Sequence, residues 1–156
     1  MIYASNNPEA EQVLNAPVRQ FMCGVSPVRD AERAWTAMDL VAASPEGAVA
    51  VVGADGRLRG IVTGRDVARA ARRGTTGGAA AGLVGSLRTV AVRDEARLGD
   101  AIRILNGRNA LRRPLTVVPV VDAADRPVGL VHRDRLMRRL IALDVRVPTQ
   151  VLASLR

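Results

Sequence analysis

Asp55-Gly56-Arg57-Leu58-Arg59-Gly60-Ile61-Val62-Thr63-Gly64-Arg65-Asp66 reads as a turn, a strand and the start of a helix. The Asp-Gly pair suits a tight hairpin turn, and Leu58 to Thr63 supplies a short, partly β-branched run. Thr63 then ends the strand, and Asp66 stands where a carboxylate can accept the unpaired amides of a helix's first turn. Working outward, Ala48 to Val52 is the matching strand before the turn, and Val67, Ala70 and Ala71 mark the apolar side of the helix after it. The same order recurs downstream. Thr116 to Val121 and Pro127 to His132 flank Asp122-Ala123-Ala124-Asp125-Arg126, and Leu136, Leu140 and Ile141 mark the next helix.

Upstream of each hairpin, Val28-Arg29-Asp30 recurs as Val92-Arg93-Asp94, 64 residues on, whereas Gly60-Ile61-Val62 recurs as Gly129-Leu130-Val131 after 69. The second copy therefore carries about five extra residues, most simply a loop within Asn106 to Pro114. Ala31, Ala34, Trp35 and Met38 follow the first triplet, and Leu98, Ala101, Ile102 and Leu105 the second, each at helical spacing. Asp30 and Asp94 are expected to N-cap these helices, and Trp35 to pack in the core. With opening strands at Ser26 to Val28 and Arg88 to Val92, each copy reads strand, helix, strand, strand, helix. The predicted fold is α+β: two tandem β-α-β-β-α repeats packed by pseudo-twofold symmetry into one module. The expected segments are an N-terminal helical extension (1–16), the first repeat (17–73), a Gly-rich linker (74–86), the second repeat (87–143) and a C-terminal tail or short helix (144–156). Asn7-Pro8 followed by Glu9 and Glu11 marks the start of the N-terminal helix.

Composition narrows the chemistry. The chain has 156 residues, 48% hydrophobic, enough for one compact core. No apolar run approaches the roughly 20 residues of a membrane span, and the N-terminus lacks a basic-then-apolar signal, so a cytoplasmic protein is expected. One cysteine, Cys23, cannot form an internal disulfide, and one histidine, His132, cannot build a His-rich metal cage, so no metal is expected. Every one of the 23 basic residues is arginine, and the net charge is +8. Up to Gly60 five arginines face seven acids; from Ile61 onward eighteen face eight. Basic stretches at Arg65 to Arg73, Arg103 to Arg113 and Arg133 to Arg139 suit phosphates or acidic partners, and Arg135, Arg138 and Arg139 read first as a solvated helix face. The glycines of Gly74 to Gly78 have no lysine beside them and read as a linker, not a phosphate loop. His132 lacks a catalytic partner, and Cys23 reads as a small packed side chain, so no catalytic residue is assigned.

The doubled unit, with Gly60-Ile61-Val62-Thr63-Gly64-Arg65-Asp66 in its first copy and Pro119-Val120-Val121-Asp122 and Gly129-Leu130-Val131 in its second, resembles a tandem CBS-domain pair, or Bateman module. The resemblance spans roughly residues 17 to 143 and implies a free-standing, non-catalytic regulatory module. It also implies an adenine-nucleotide site for AMP, ADP, ATP or S-adenosylmethionine as regulatory ligand, with no cofactor required. Thr63 and Asp66 would meet phosphate and ribose, Arg65 would add a phosphate contact, and Val49 and Ala50 would line the adenine. A flat homodimer and an unknown protein target are implied as well.

The second copy departs from this pattern: His132 stands at the Thr position and Arg135 at the Asp position, while Asp134 falls one residue early, about 100° around the helix. Asp134 is expected to cap its helix. The second site is then empty or altered, with His132, Arg133 and Arg135 available to collect phosphate charge. A different class of function is a ligand-free interaction scaffold docking its arginine-rich surface on an acidic protein. Nucleic acid fits less well, because there are three aromatic residues and no helix-turn-helix or stacking platform.

Overall fold

The computed structural model describes residues 8–75, 78–85 and 90–143. In the first repeat, β1 (Val28–Arg29) leads through α2 (Ala34–Ala43) to β2 (Ala48–Val52), β3 (Leu58–Thr63) and α3 (Gly64–Arg72). The second repeats this with β4 (Val92–Arg93), α5 (Leu98–Leu105), β5 (Val117–Val121), β6 (Pro127–His132) and α6 (Arg133–Ala142). Two further helices, α1 (Pro8–Asn15) and α4 (Ala81–Val84), precede the first and second repeats. Each sheet has three strands, β1-β2-β3 and β4-β5-β6, with the first pair parallel and the second antiparallel. This is the expected α+β arrangement of two β-α-β-β-α units.

The hairpin registers correspond residue by residue. Val49 pairs with Val62 and Val118 with Val131, and each ladder shifts just before its turn, at Val51/Val52 and Val120/Val121. Gly56 takes the left-handed backbone (φ 77°) that its turn requires, and the equivalent Asp125 takes it at φ 61°. The extra residues of the second copy lie in the loop between α5 and β5. Asn109 stitches that loop, donating through Nδ2 to the carbonyls of Ile104 (2.7 Å) and Arg113 (2.8 Å).

Several helix-level expectations are corrected. Asp30 and Asp94 do not cap: α2 and α5 start three residues later, after Arg33 and Arg97, neither of which makes a side-chain cap. That later start sets the buried face of α2 at Ala34, Ala37 and Val41, so Trp35, about 100° away from Ala34, is 60% exposed and not in the core. Ala31 and Ala71 are also exposed, and so is Ile141. Asp134 caps nothing; it pairs with Arg133 at 3.3 Å. The opening strands are centred on Val28–Arg29 and Val92–Arg93, and residues 86–89 of the expected second one lie outside the described set, as do Asn7 and the 144–156 tail.

The repeats exchange their leading segments. Residues 16–19 run along the second repeat, with Leu98 N–H donating to Ala16 O (2.8 Å), Val18 N–H to Ala96 O (2.8 Å) and Arg19 N–H to Asp94 O (3.1 Å). Residues 79–82 do the same on the first: Ala34 N–H donates to Ala79 O (2.7 Å), Ala81 N–H to Glu32 O (2.7 Å) and Gly82 N–H to Asp30 O (3.0 Å). Ala10 and Val18 are accordingly buried in the second repeat's core with Leu98, Leu105 and Leu140, and Ala81 in the first repeat's core with Ala34 and Val51. Residues 17–23, grouped with the first repeat by sequence, thus make backbone hydrogen bonds to the second, and the Gly-rich linker contains a helix built into the first. Ala48 and Ile61 meet Leu130 where the two units join. Each repeat needs the other's leader because a three-stranded sheet with two short helices leaves apolar surface uncovered.

Candidate functional site

At the end of β3 the chain turns directly into α3, and Thr63 and Asp66 close a capping box there. The Thr63 N–H donates to Asp66 Oδ2 (2.8 Å), the Thr63 hydroxyl lies 3.0 Å from the same oxygen, and the Asp66 N–H donates to Thr63 Oγ1 (3.3 Å). Arg69 holds the other carboxylate oxygen, Oδ1, at 3.3 Å. Asp66 is buried, and both its oxygens are engaged within α3 and its cap. The strand-to-helix turn itself dictates this, since the first amides of a helix need an acceptor. Arg65, one residue earlier, points to solvent and makes no ion pair among the described residues. Val49 lies in the core against the helices, and Ala50 is fully buried. The predicted first-site residues therefore gather at one strand end, with Arg65 the exposed member.

The corresponding turn of the second repeat is built differently. His132 N-caps α6 without a side-chain cap, and its Nδ1 is buried with no hydrogen-bond partner among the described residues. Arg133 N–H donates to Thr116 O (2.8 Å), as Gly64 N–H does to Gly47 O (3.2 Å) in the first repeat. Arg135, which stands where Asp66 stands in the first copy, crosses to the first repeat and donates through Nη1 to Oε1 of Glu46. The three second-site candidates are thus divided: Arg133 beside Asp134, His132 at the strand end, and Arg135 already paired.

Sequence reading did not single out Glu46, a residue whose side chain is only 2% exposed. It sits in the tight link between α2 and β2, its N–H donating to Ser44 Oγ (3.2 Å), and its Oε2 is buried with no nitrogen or oxygen hydrogen-bond partner among the described residues. Arg139 reinforces the same side of α6, donating to Gln20 O (3.1 Å) and lying 4.7 Å from the centroid of the Phe21 ring. The expected solvated face of α6 is therefore partly a set of struts, Arg135 to the first repeat and Arg139 to the leading segment.

Cys23 lies close to this cluster, its backbone paired with Leu130. Burial first, and then the neighbouring Glu46 carboxylate, push the Cys23 thiol above its ordinary pKa, with Arg135 and Arg139 pulling weakly the other way. The folded chain therefore holds this proton more tightly than the unfolded chain. The associated stability is complete below the unfolded thiol's pKa and is lost as pH rises through the folded one. Alkylation by iodoacetamide at mildly alkaline pH is expected to run slower than for a free thiol, and its rise with pH to be displaced upward; a rate matching free thiol at each pH would refute this.

A cavity of about 470 Å³ opens at the hairpin ends, lined by Asp55, Arg57, Leu58, Arg59, Ala91, Val121 and Asp125. It contains none of the predicted site residues, being at the far end of β3 from Thr63, roughly 16 Å away at the usual strand rise. Leu58 N–H donates to Asp125 O (2.8 Å) beside it, so its walls come from both repeats.

Comparison with known proteins matches the doubled architecture. The model of the CBS domain matches residues 26–73 and 84–142. Among solved structures, CBSX2 in complex with AMP superposes with a TM-score of 0.67 at 22% identity, covering 83% of this chain and 98% of that one. CBSX2 from Arabidopsis thaliana gives 0.62 at 21%, covering 85% and 99%. The cytosolic domain of the Mg2+ channel MgtE in complex with ATP gives 0.63 at 20%, covering 84% and 51%. A search of curated proteins finds no match. Two β-α-β-β-α units, each closed by the other's leading segment and each matched in turn by the family model, make this chain a tandem pair of the CBS domain family.

Proposed function

We propose that this chain is a non-catalytic regulatory module that binds one adenine nucleotide at the β3–α3 turn and signals through its shape or its affinity for a partner protein. The observation that carries this reading is the buried Asp66 carboxylate beside Thr63 at a helix start, with the exposed Arg65 next to it, in a fold whose solved relatives hold AMP and ATP. The ribose hydroxyls would displace the Thr63 and Arg69 contacts on Asp66, and the phosphate would meet the α3 amides and Arg65. The carboxylate's present engagement is the reason that binding changes the local structure, since the capping box and the ligand compete for the same oxygens. AMP, ADP and ATP are the first ligands, and S-adenosylmethionine shares the adenosine part. A homodimer fits the exposed Trp35 and Ile141.

A ligand-free interaction scaffold is the second reading. It is favoured by one observation, that both Asp66 oxygens are already satisfied within the chain. Calorimetry and thermal melting with AMP, ADP, ATP and S-adenosylmethionine separate the two. A ligand at about 100 times its Kd should add roughly 2.7 kcal/mol of stability, several degrees in Tm. Arg65→Ala, at an exposed position, should weaken phosphate-bearing ligands about tenfold, the usual scale for a charge-assisted contact. If none of the four ligands binds, the nucleotide reading fails and the scaffold stands.

A further inference from the structure

Arg135 occupies the position of the second motif's carboxylate, and Glu46 answers it from the other repeat. Both residues depart from the repeat pattern. Glu46 corresponds to Leu115 in the second copy and Arg135 to Asp66 in the first, so an acid has appeared where the copy is apolar and a base where the copy is acidic. The Glu46 side chain is almost wholly buried, where its carboxylate accepts from Arg135 and neighbours the Cys23 thiol. A carboxylate taken this far out of water needs an opposite charge, and this guanidinium supplies it. Half of the Arg135 side chain remains exposed, on the turn where Arg133 and His132 also stand.

We infer that Glu46 is a built-in occupant of the β6–α6 turn, where a second site would lie: its carboxylate takes the guanidinium that an incoming phosphate would need, and so limits the chain to one nucleotide. The count of one rests on the nucleotide reading above, whereas the blocking of Arg135 does not. Glu46 is covalently part of the fold and therefore acts at a high effective concentration against any dissolved anion. Its second oxygen, Oε2, has no nitrogen or oxygen partner among the described residues, so the ion pair is held through one oxygen alone. Releasing Arg135 frees a guanidinium at the start of α6, where His132 ends β6, for the oxygens of a phosphate.

Equilibrium dialysis of the full chain against ATP, and separately against inorganic pyrophosphate, tests this with Glu46→Gln and Glu46→Leu. The leucine variant copies Leu115, so it keeps a foldable, apolar alternative should the glutamine be poorly accommodated. The expected result is one ATP per wild-type chain and two per variant, the added site disappearing in Glu46→Leu/Arg135→Ala. Pyrophosphate should likewise gain one Arg135-dependent site in the variants. Two ATP on the wild type, or no added ATP or pyrophosphate on variants with wild-type circular dichroism, would overturn the inference. Should the wild type bind no ATP, the nucleotide reading fails by itself, and the pyrophosphate difference alone decides whether Glu46 blocks Arg135. The Cys23 alkylation rate, which Glu46 restrains, should rise in both variants and so report that the carboxylate's influence has gone.

Discussion

Leu98→Ala is expected to destabilise the chain by about 2–5 kcal/mol. Leu98 is completely buried where α5 begins, in a cluster formed by α1, the leading segment around Val18, strands β4 to β6 and α6. Its backbone N–H is the donor that holds Ala16 O at 2.8 Å, so the side chain and the crossing leader meet at one residue. Truncation removes most of the side chain's transfer free energy and leaves a void that surrounding residues from four segments can fill only in part. Since a domain of this size has a total stability of about 5–15 kcal/mol, the loss is a large fraction of it. At about 2–4 °C per kcal/mol, Tm should fall by roughly 4–20 °C. Thermal melting followed by circular dichroism checks this, and a shift below about 2 °C would mean that the second repeat's core is not closed by the leader in solution.

The second large effect concerns Gly129. A Cβ built there would sit 2.5 Å from Met22 Sδ and 2.7 Å from the Cys23 carbonyl oxygen. The methionine can swing aside, but the carbonyl cannot, because it accepts from Leu130 N–H at 2.9 Å while Cys23 N–H donates to Leu130 O at 2.9 Å. Gly129→Ala must therefore pry the leading segment off β6, at a cost of about 1–3 kcal/mol for the overpacking together with the strained bridge hydrogen bonds. Gly129→Val adds two methyl groups to the same contact and should cost more. Gly64→Ala is the matched comparison: nothing lies within 4 Å of its Cβ position, and it begins α3, so it should be neutral or slightly stabilising. Chemical denaturation of the three variants gives the order directly. Equal midpoints for Gly129→Ala and Gly64→Ala would remove the claim that residues 22 and 23 press on β6.

The residues that made the fold legible were those under local constraint. The turn residues Gly56 and Asp125, the β-branched strands on either side, and the 64- and 69-residue offsets all act over short stretches of chain, where sterics and burial leave few choices. The Thr63–Asp66 turn was legible for the same reason, because a Thr and an Asp three residues apart at a strand end form a capping box whatever else they do. Asp30, Asp94 and Trp35 were misread because the starts of α2 and α5 are fixed from outside. Ala79 O accepts from Ala34 N–H and Ala16 O from Leu98 N–H, carbonyls that come from segments remote in the chain. Once those acceptors are in place, the helix begins where they are and its buried face turns accordingly.

Glu46 marks the limit of sequence reading at the site. Its departure from Leu115 and that of Arg135 from Asp66 are both visible in the repeat, and opposite in sign, but only the packing of one repeat on the other brings the two side chains together. Sequence alone determined two β-α-β-β-α units, their hairpins and the Thr63–Asp66 turn at the end of β3, because hydrophobic period and turn chemistry are properties of neighbouring residues. The tertiary structure decided which leader closes which core, where α2 and α5 begin and which charge Arg135 meets. Those depend on groups far apart in the chain whose burial must be satisfied together, and a local pattern carries no record of the partner.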